Sequence, residues 1–450
     1  MSMNPKISII MPSLNVCEYI DECIESALNQ TIKGLELICI DAGSTDGTWE
    51  KLEEYAAENT NDDLTIKLIK SDVRSYGYQV NLGISASNGK YIAILETDDY
   101  IVPEMYQKLF DIAENTGVDY VKAAFDMFET YPNKEVIFRT SYLWPKSSPN
   151  YNCVIDPHKN DELYGRDYCL WTGIYRASFL KRNNIRLNET PGAAFQDIGF
   201  TEQMLAYSRK AYYTDESYYR YRTDRLGSSI NSKNGLKFSQ GEFENILDNQ
   251  YFWDKVAYQR GTYSYMLGSF YGEFHKLIRI ADYSWQVEYI EPYVNWFLEK
   301  LSKAIRDGIL VENQYTRGLF PFFYGIKKNP TQYCRNLSIA DEKIETNRNK
   351  IASLSKKGRI YIMGAGVRGV EAVRILLSKG VTNFSICDND KKKVGISIGN
   401  RVIVTPATCV GQYKKGSDSF LIANKNYSQE MHRQLLKMGV DPGDIFIMYA

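Results

Sequence analysis

A chain of 450 residues has room for two to four domains, each with its own hydrophobic core, which excludes a single small module. Its 54 Lys and Arg nearly balance 55 Asp and Glu, a net charge of −1, so it carries no bulk positive field to hold nucleic acid. No stretch reaches the ~18 uninterrupted apolar residues of a membrane span, no signal peptide precedes the first strand, and the cysteines form no CxxC pair; a soluble, intracellular chain with reduced thiols is expected.

From Lys6 to about Phe125, β-rich runs alternate with amphipathic stretches, the pattern of a mostly parallel sheet covered on both faces. Lys6 to Met11 reads as a first strand ending at Pro12. Asn15 is expected to cap the next helix, with Glu18 at capping-box spacing, and the helix to reach about Gln30. Leu35 to Ile40 is a second buried strand, stopped by Asp41-Ala42-Gly43-Ser44. A third strand spans about Leu64 to Ile69. A fourth, Tyr91 to Leu95, delivers Glu96-Thr97-Asp98-Asp99 at its carboxyl end, where ligands bind in open α/β sheets.

Residues from about 126 to 230 mix Pro-, Asn- and Asp-rich loops with short aromatic strands. From about Gly235 to Leu354 the sequence reads as helices. Phe270 and Phe274, then Tyr289, Tyr293, Trp296 and Phe297, recur at helical spacing, which favours a buried stripe over a sugar-binding shelf. Strand and helix then alternate again to the end. The expected layout is an α/β domain over residues 1–234, a helical, aromatic-rich region over 235–354 and a Rossmann-like α/β domain over 355–450.

Acidic residues gather after predicted strands: Asp41, then Glu96, Asp98 and Asp99, with Asp197 in the later segment Phe195-Gln196-Asp197. Carboxylates so placed suit a hard divalent cation shared with phosphate oxygens, or a solvated turn. Near the C-terminus, Arg359 to Met363 leads into Gly364-Ala365-Gly366-Val367-Arg368-Gly369, a helix, the strand Phe384 to Cys387 and Asp388. That order is the setting of a nucleotide fingerprint, with Gly364, Gly366, Gly369 and Asp388 as a second candidate nucleotide site. A purely structural or oligomerising role stands beside it, because few residues follow for a substrate domain.

Taken in order, Ile9-Ile10-Met11-Pro12-Ser13-Leu14-Asn15, Ile40-Asp41-Ala42-Gly43-Ser44-Thr45-Asp46-Gly47, Asn81-Leu82-Gly83, Gly89-Lys90-Tyr91-Ile92, Glu96-Thr97-Asp98-Asp99, Trp171-Thr172-Gly173, Phe195-Gln196-Asp197 and Tyr221-Arg222 to Gly227-Ser228-Ser229 resemble the GT-A domain of family 2 glycosyltransferases. The likeness covers about the first 230 residues. It implies a metal-dependent, inverting transfer from a nucleotide-sugar, with UDP favoured, to a glycan or lipid-linked acceptor in surface polysaccharide biosynthesis. Asp197 would be the general base. Pro12, Asn15, Asp41, Asn81, Glu96, Asp98 and Arg222 would contact the nucleotide, Asp98 and Asp99 would hold Mn²⁺ or Mg²⁺, and Trp171 would lie on the acceptor side. The chain departs from the family pattern at Glu96, where Asp is usual, at Ala42, and at Gln196, which replaces a Glu.

The C-terminal segment is similar to Rossmann-like modules appended to bacterial polysaccharide-biosynthesis enzymes. Two other functions are open on the sequence. One is an NAD(P)-dependent sugar-modifying enzyme centred on the C-terminal fingerprint, which lacks a Tyr-x-x-x-Lys pair; the other is a catalytically silent nucleotide-binding scaffold. A cytoplasmic location at the inner membrane face, peripheral membrane contact and homo-oligomerisation all stay open.

Overall fold

A computed structural model describes residues 5–59, 63–160, 163–225, 234–249, 256–280, 286–313, 316–356 and 358–448. The chain divides into two compact units, Met1–Met127 with Thr140–Cys334, and Phe128–Arg139 with Arg335–Ala450. This differs from the expected layout at two places. The helical stretch does not stand alone, since it belongs to the first unit as far as Cys334. A short segment, 128–139, leaves the first α/β domain for the second unit.

The first unit holds strands β1 (Ile7–Ser13), β2 (Leu35–Asp41), β3 (Leu64–Lys70), β4 (Tyr91–Ile94), β5 (Tyr100–Ile101), the start of β6 (Tyr120–Thr130), the end of β7 (Val136–Ser141), β8 (Val154–Ile155), β9 (Gly173–Arg176) and β10 (Ala211–Arg222). Their order in the sheet is β3-β2-β1-β4-β9-β6-β10-β5. The pairs β1–β2, β2–β3 and β1–β4 are parallel, and β9 turns antiparallel against β4 and β6. Every residue of β1 and β2 is buried, as expected of parallel strands covered on both faces. Even Glu36 is inside, where the Ser8 hydroxyl, Asn88 and Lys67 satisfy its carboxylate. The chain leaves β1 on one side for β2 and on the other for β4, so a crevice opens at their carboxyl ends.

Helices α1 (Ile20–Leu28), α2 (Thr48–Asn59), α3 (Tyr76–Ala86), α4 (Met105–Thr116), α5 (Ala177–Arg182) and α6 (Gln196–Tyr207) accompany this sheet. The first begins four residues later than expected. Asn15 adopts φ +52° outside the helix, and its side-chain oxygen accepts from the Thr45 N–H at 2.9 Å, so it ties the β1 loop to the β2 loop instead of capping α1.

Helices α7 (Gly235–Asn249), α8 (Val256–Ile280), α9 (Gln286–Arg306) and α10 (Phe320–Lys328) complete the first unit, with the start of α11 (Pro330–Ser353). Phe270, Phe274 and Phe297 are buried, and Phe270 stacks on Phe297 at 4.7 Å, so the aromatic stripe is core as expected. Tyr293 and Trp296 are half-buried, and the Tyr289 side chain lies outside the described residues. No described helix is long and apolar enough to cross a membrane.

The second unit is built on β11 (Ile360–Met363), β12 (Phe384–Cys387), β13 (Ser397–Ile398), β14 (Arg401–Val404), β15 (Ser419–Ile422) and β16 (Ile445–Ile447), in the order β13-β14-β12-β11-β15-β16. All neighbours pair in parallel except β13 with β14. Helices α12 (Val367–Ser378), α13 (Pro406–Gln412) and α14 (Ser428–Lys437) follow β11, β14 and β15. The segment 128–139 packs Tyr131 and Ile137 into this unit's core. It is held there by ion pairs from Glu129 to Arg374 and from the fully buried Glu135 to Arg401.

Candidate active site

The crevice of the first sheet contains a cavity of about 310 Å³ whose lining includes Pro12, Glu96, Asp98, Trp171, Asp197 and Arg225. Pro12 is the last residue but one of β1, and its carbonyl accepts from the Thr97 hydroxyl at 2.7 Å, which fixes the acidic loop after β4 against β1. Within that loop the acids have different surroundings. Burial pushes the Glu96 carboxyl up to about 8 although the Tyr76 hydroxyl donates to it. Asp98 pairs with Arg225 at 2.9 Å through Oδ2, while its Oδ1 has no partner among the described residues.

The opposite wall is the start of α6. Asp197 lies in its first turn, after Phe195 in the left-handed conformation at φ +70°. Burial pushes the Asp197 carboxyl up to about 7, opposed by backbone N–H groups at the helix start and by the charge of Lys122. The approach to α6 is tied to the start of α3. Tyr76 N–H donates to the Gly192 carbonyl at 2.9 Å, and a Cβ at Gly77 would stand 2.0 Å from the Asn188 carbonyl oxygen, so only glycine admits the loop. Gln196, which replaces the family's Glu, donates to Thr190 and to the Gly192 carbonyl and accepts from Ala194 N–H at 2.7 Å. It acts as a clamp on the loop that carries the base candidate.

Trp171 lines the same cavity and stacks on Tyr221 at 5.0 Å with the rings 4° apart. The structure brings Pro12, Glu96, Asp98, Trp171 and Asp197 together, and it relocates five other expected site residues. Asn81 faces away from the cavity: its amide donates to the Leu187 carbonyl and to Glu189, and its oxygen accepts from Leu187 N–H at 3.0 Å. Both ends of its amide are engaged by Leu187 and Glu189, and it does not line the cavity. Asp41 is buried with both oxygens engaged, Oδ1 by the N–H groups of Gly43 and Ser44 and Oδ2 by the hydroxyls of Ser44 and Ser13. Its acceptor capacity is used inside its own loop. Asn15 braces that loop, as described above.

Asp99 is turned into the protein, where it accepts from the Tyr219 hydroxyl at 2.8 Å and the Arg222 N–H at 2.7 Å, so its carboxylate locks β10 to the acidic loop rather than pointing at a cation. Arg222 donates to the Asp98 carbonyl at 2.9 Å and pairs with Glu22, leaving Arg225 as the guanidinium of this loop at the cavity. Both guanidinium groups lie over the Tyr19 ring, at 4.9 and 5.6 Å. Gly227-Ser228-Ser229 of the resemblance lies outside the described residues. Sequence reasoning missed Tyr76 and Gln79, which also line the cavity; Ser75 capping α3 through Tyr78 N–H is the local signal that places them.

No group of three or more His, Cys, Asp or Glu among the described residues is arranged to hold a metal ion. The oxygen donors at the cavity still fit a hard dication, since Asp98 offers an unengaged oxygen and a diphosphate would bring more. In the second unit, Gly366 and Asp388 line a cavity of about 550 Å³ at the carboxyl ends of its strands. Gly364 takes φ +109°, and a Cβ at Gly369 would meet the Gly364 carbonyl oxygen at 2.0 Å, so both permit the tight strand-to-helix turn. Asp388 accepts from Ala365 N–H at 2.6 Å and Asp390 N–H at 2.8 Å, which holds the glycine loop in place.

Residues 8–159 match the family model described as Glycosyl transferase family 2. The uncharacterized glycosyltransferase EpsJ of Bacillus subtilis is 29% identical over 225 residues, which cover 49% of this chain and 62% of EpsJ. The cholesterol galactosyltransferase of Borreliella burgdorferi is 28% identical over 257 residues, 54% of this chain and 68% of that one. Among solved structures, S. aureus TarS 1-349 in complex with UDP-GlcNAc aligns at 16% identity and a TM-score of 0.49, over 75% of this chain and 92% of that one. The chain thus spans less than two thirds of the length of EpsJ, at 62%. With the ordered motifs on the strand ends of a β3-β2-β1-β4 sheet and the family match over the same residues, the chain carries a family 2 glycosyltransferase domain of GT-A architecture.

Proposed function

We propose that the chain is an inverting glycosyltransferase that moves a sugar from a nucleotide-sugar, UDP-linked, to a hydroxyl of a glycan or lipid-linked acceptor. One observation carries this reading: a single cavity at the switch point of the first sheet is lined by Asp98 and Arg225 from the acidic-loop side and by Asp197 from α6. Asp197 takes the proton of the acceptor hydroxyl on its carboxylate as that oxygen attacks the anomeric carbon, and the nucleoside diphosphate leaves with the electrons of the broken bond. The buried site keeps the carboxyl near neutrality, where a general base is most effective. Arg225 gives the diphosphate a guanidinium fork, and Arg222 positions the loop beneath it.

Asp98 is the residue that would hold Mn²⁺ or Mg²⁺, which when bound neutralises charge on the departing diphosphate. Pro12 walls the nucleotide pocket. The test is thermal denaturation of the whole chain with UDP, GDP, NAD or NADP, each with and without Mn²⁺. UDP with Mn²⁺ is expected to raise the midpoint, by a margin set by about 2.7 kcal/mol at a hundredfold excess over Kd. Stabilisation by NAD or NADP alone would overturn the reading.

A further inference from the structure

The cavity of about 550 Å³ in the second unit takes no part in the transfer described above, and it is larger than the cavity at Asp98 and Asp197. It opens where β11 has β12 on one side and β15 on the other, so it stands at this sheet's own switch point. Gly366 leaves its wall bare. The φ of −88° there suits any residue, yet a Cβ would meet, among the described residues outside its own turn, just the Lys393 ammonium at 3.9 Å. A cation beside bare backbone is a setting for a phosphate oxygen. Lys425 brings a second positive charge to the same cavity.

The rest of the wall is apolar where a surface has no need to be. Val367 is 86% exposed and Tyr427 57% exposed, and both face the cavity. Asn424 fixes the Tyr427 segment, since its side-chain oxygen accepts from the N–H groups of Asn426 and Tyr427, each at 3.0 Å. Cations for phosphate together with an open aromatic face for a base are the two halves of nucleotide recognition.

Two further contacts set the size of the ligand. In a dinucleotide site the acid after the second strand binds a ribose hydroxyl. Asp388 stands at that place, but its Oδ2 accepts from Ala365 N–H and meets Lys393 at 3.3 Å, while Oδ1 accepts from Asp390 N–H. Both oxygens are committed to the glycine loop. Asn389 and Gln434, which line the cavity, exchange two amide hydrogen bonds of 2.9 Å and so tie the loop after β12 to α14. That bridge obstructs the path a second nucleotide would need.

We propose that this cavity binds a single nucleotide, its base against Tyr427 and Val367, its ribose hydroxyls on the Glu430 carboxylate and its phosphate between Gly366 and Lys393. The inference goes beyond the transferase reading and stands independently of it. The volume lies within the roughly 300–1,000 Å³ of small-molecule sites.

The test is hydrogen exchange read by mass spectrometry on the full chain, with AMP, GMP, CMP and UMP as probes beside inorganic phosphate and NAD. At least one mononucleotide is expected to slow exchange in residues 364–369 and 424–431. Gly366→Val should abolish that protection by filling the phosphate position, while UDP with Mn²⁺ acts on residues 96–98 and 196–198 as in the wild type. Tyr427→Ala should weaken mononucleotide binding by about fivefold or more, the scale of one lost base stack, and Tyr427→Phe should restore it. No protection by any mononucleotide, or equal protection by inorganic phosphate alone, would overturn the site. Protection by NAD at a lower concentration than every mononucleotide would overturn the single-nucleotide assignment. Loss of UDP protection at residues 96–98 in the wild type would count against the transferase reading and leave this site untouched.

Discussion

Asp197 stands in the first turn of α6 with its carboxyl raised to about 7 by burial, so its ionised fraction changes within the working range of pH. Because a base acts only when ionised, transfer should fall as pH drops through about 7, which a rate profile under saturating donor would show. Asp197→Asn should lower kcat by about 10²–10⁴-fold, the usual contribution of general-base catalysis. UDP binding, measured by calorimetry, should not change, because Asp197 lies on the wall opposite Asp98 and Arg225. Asp41, Asp99 and Asn81 are polar residues in the expected places, yet each is engaged by neighbours inside the protein.

At the scale of elements, α3 shows how one helix serves the site and the fold at once. Tyr76 and Gln79 reach the cavity, Gly77 admits the loop that carries Asn188, and Asn81 binds that loop through Leu187. Asn81→Ala should therefore cost about 1–3 kcal/mol of stability, because it leaves the buried Leu187 N–H without an acceptor. Urea denaturation would measure the loss. Donor binding at a temperature well below the transition should be spared, since Asn81 does not line the cavity, whereas a nucleotide contact would raise the UDP Kd.

At the scale of the molecule, the two units respond to different perturbations. The first unit buries Asp197, Glu202 and Glu242, and burial raises these carboxyls to about 7, 8 and 7. Unfolded, such groups ionise near pH 4, so between about pH 4 and 8 the folded chain holds more protons than the unfolded chain. Stability from these groups is therefore greatest in mild acid and declines as pH rises towards 8. The melting midpoint should be lower at about pH 8 than at about pH 6, with a smaller drop in Glu202→Gln.

In the second unit, burial would raise the Glu135 carboxyl, but Arg401 and the Asn400 N–H hold it below the usual range. Glu135→Ala should cost roughly 3 kcal/mol by stranding Arg401. Hydrogen exchange should locate the loss in residues 128–139 and 401–404, with the first unit's sheet unchanged.

The sequence by itself determined the strand-and-helix order of the first domain, the motif set that places it in family 2, and the candidate base. Those features are local or strictly ordered: apolar runs at strand length, turn residues after them, and acids at strand ends. Only the tertiary structure decided which of those acids face the cavity, because a carboxylate's role depends on donors far along the chain. Asp99 is claimed by Tyr219 and Arg222, more than a hundred residues away, and Asn81 by Leu187. The assignment of residues 128–139 to the second unit has the same origin, since Glu129 and Glu135 find their arginines at 374 and 401 and nothing in the local pattern announces them. Periodicity reports what a segment buries, whereas its partner is fixed only when distant segments meet.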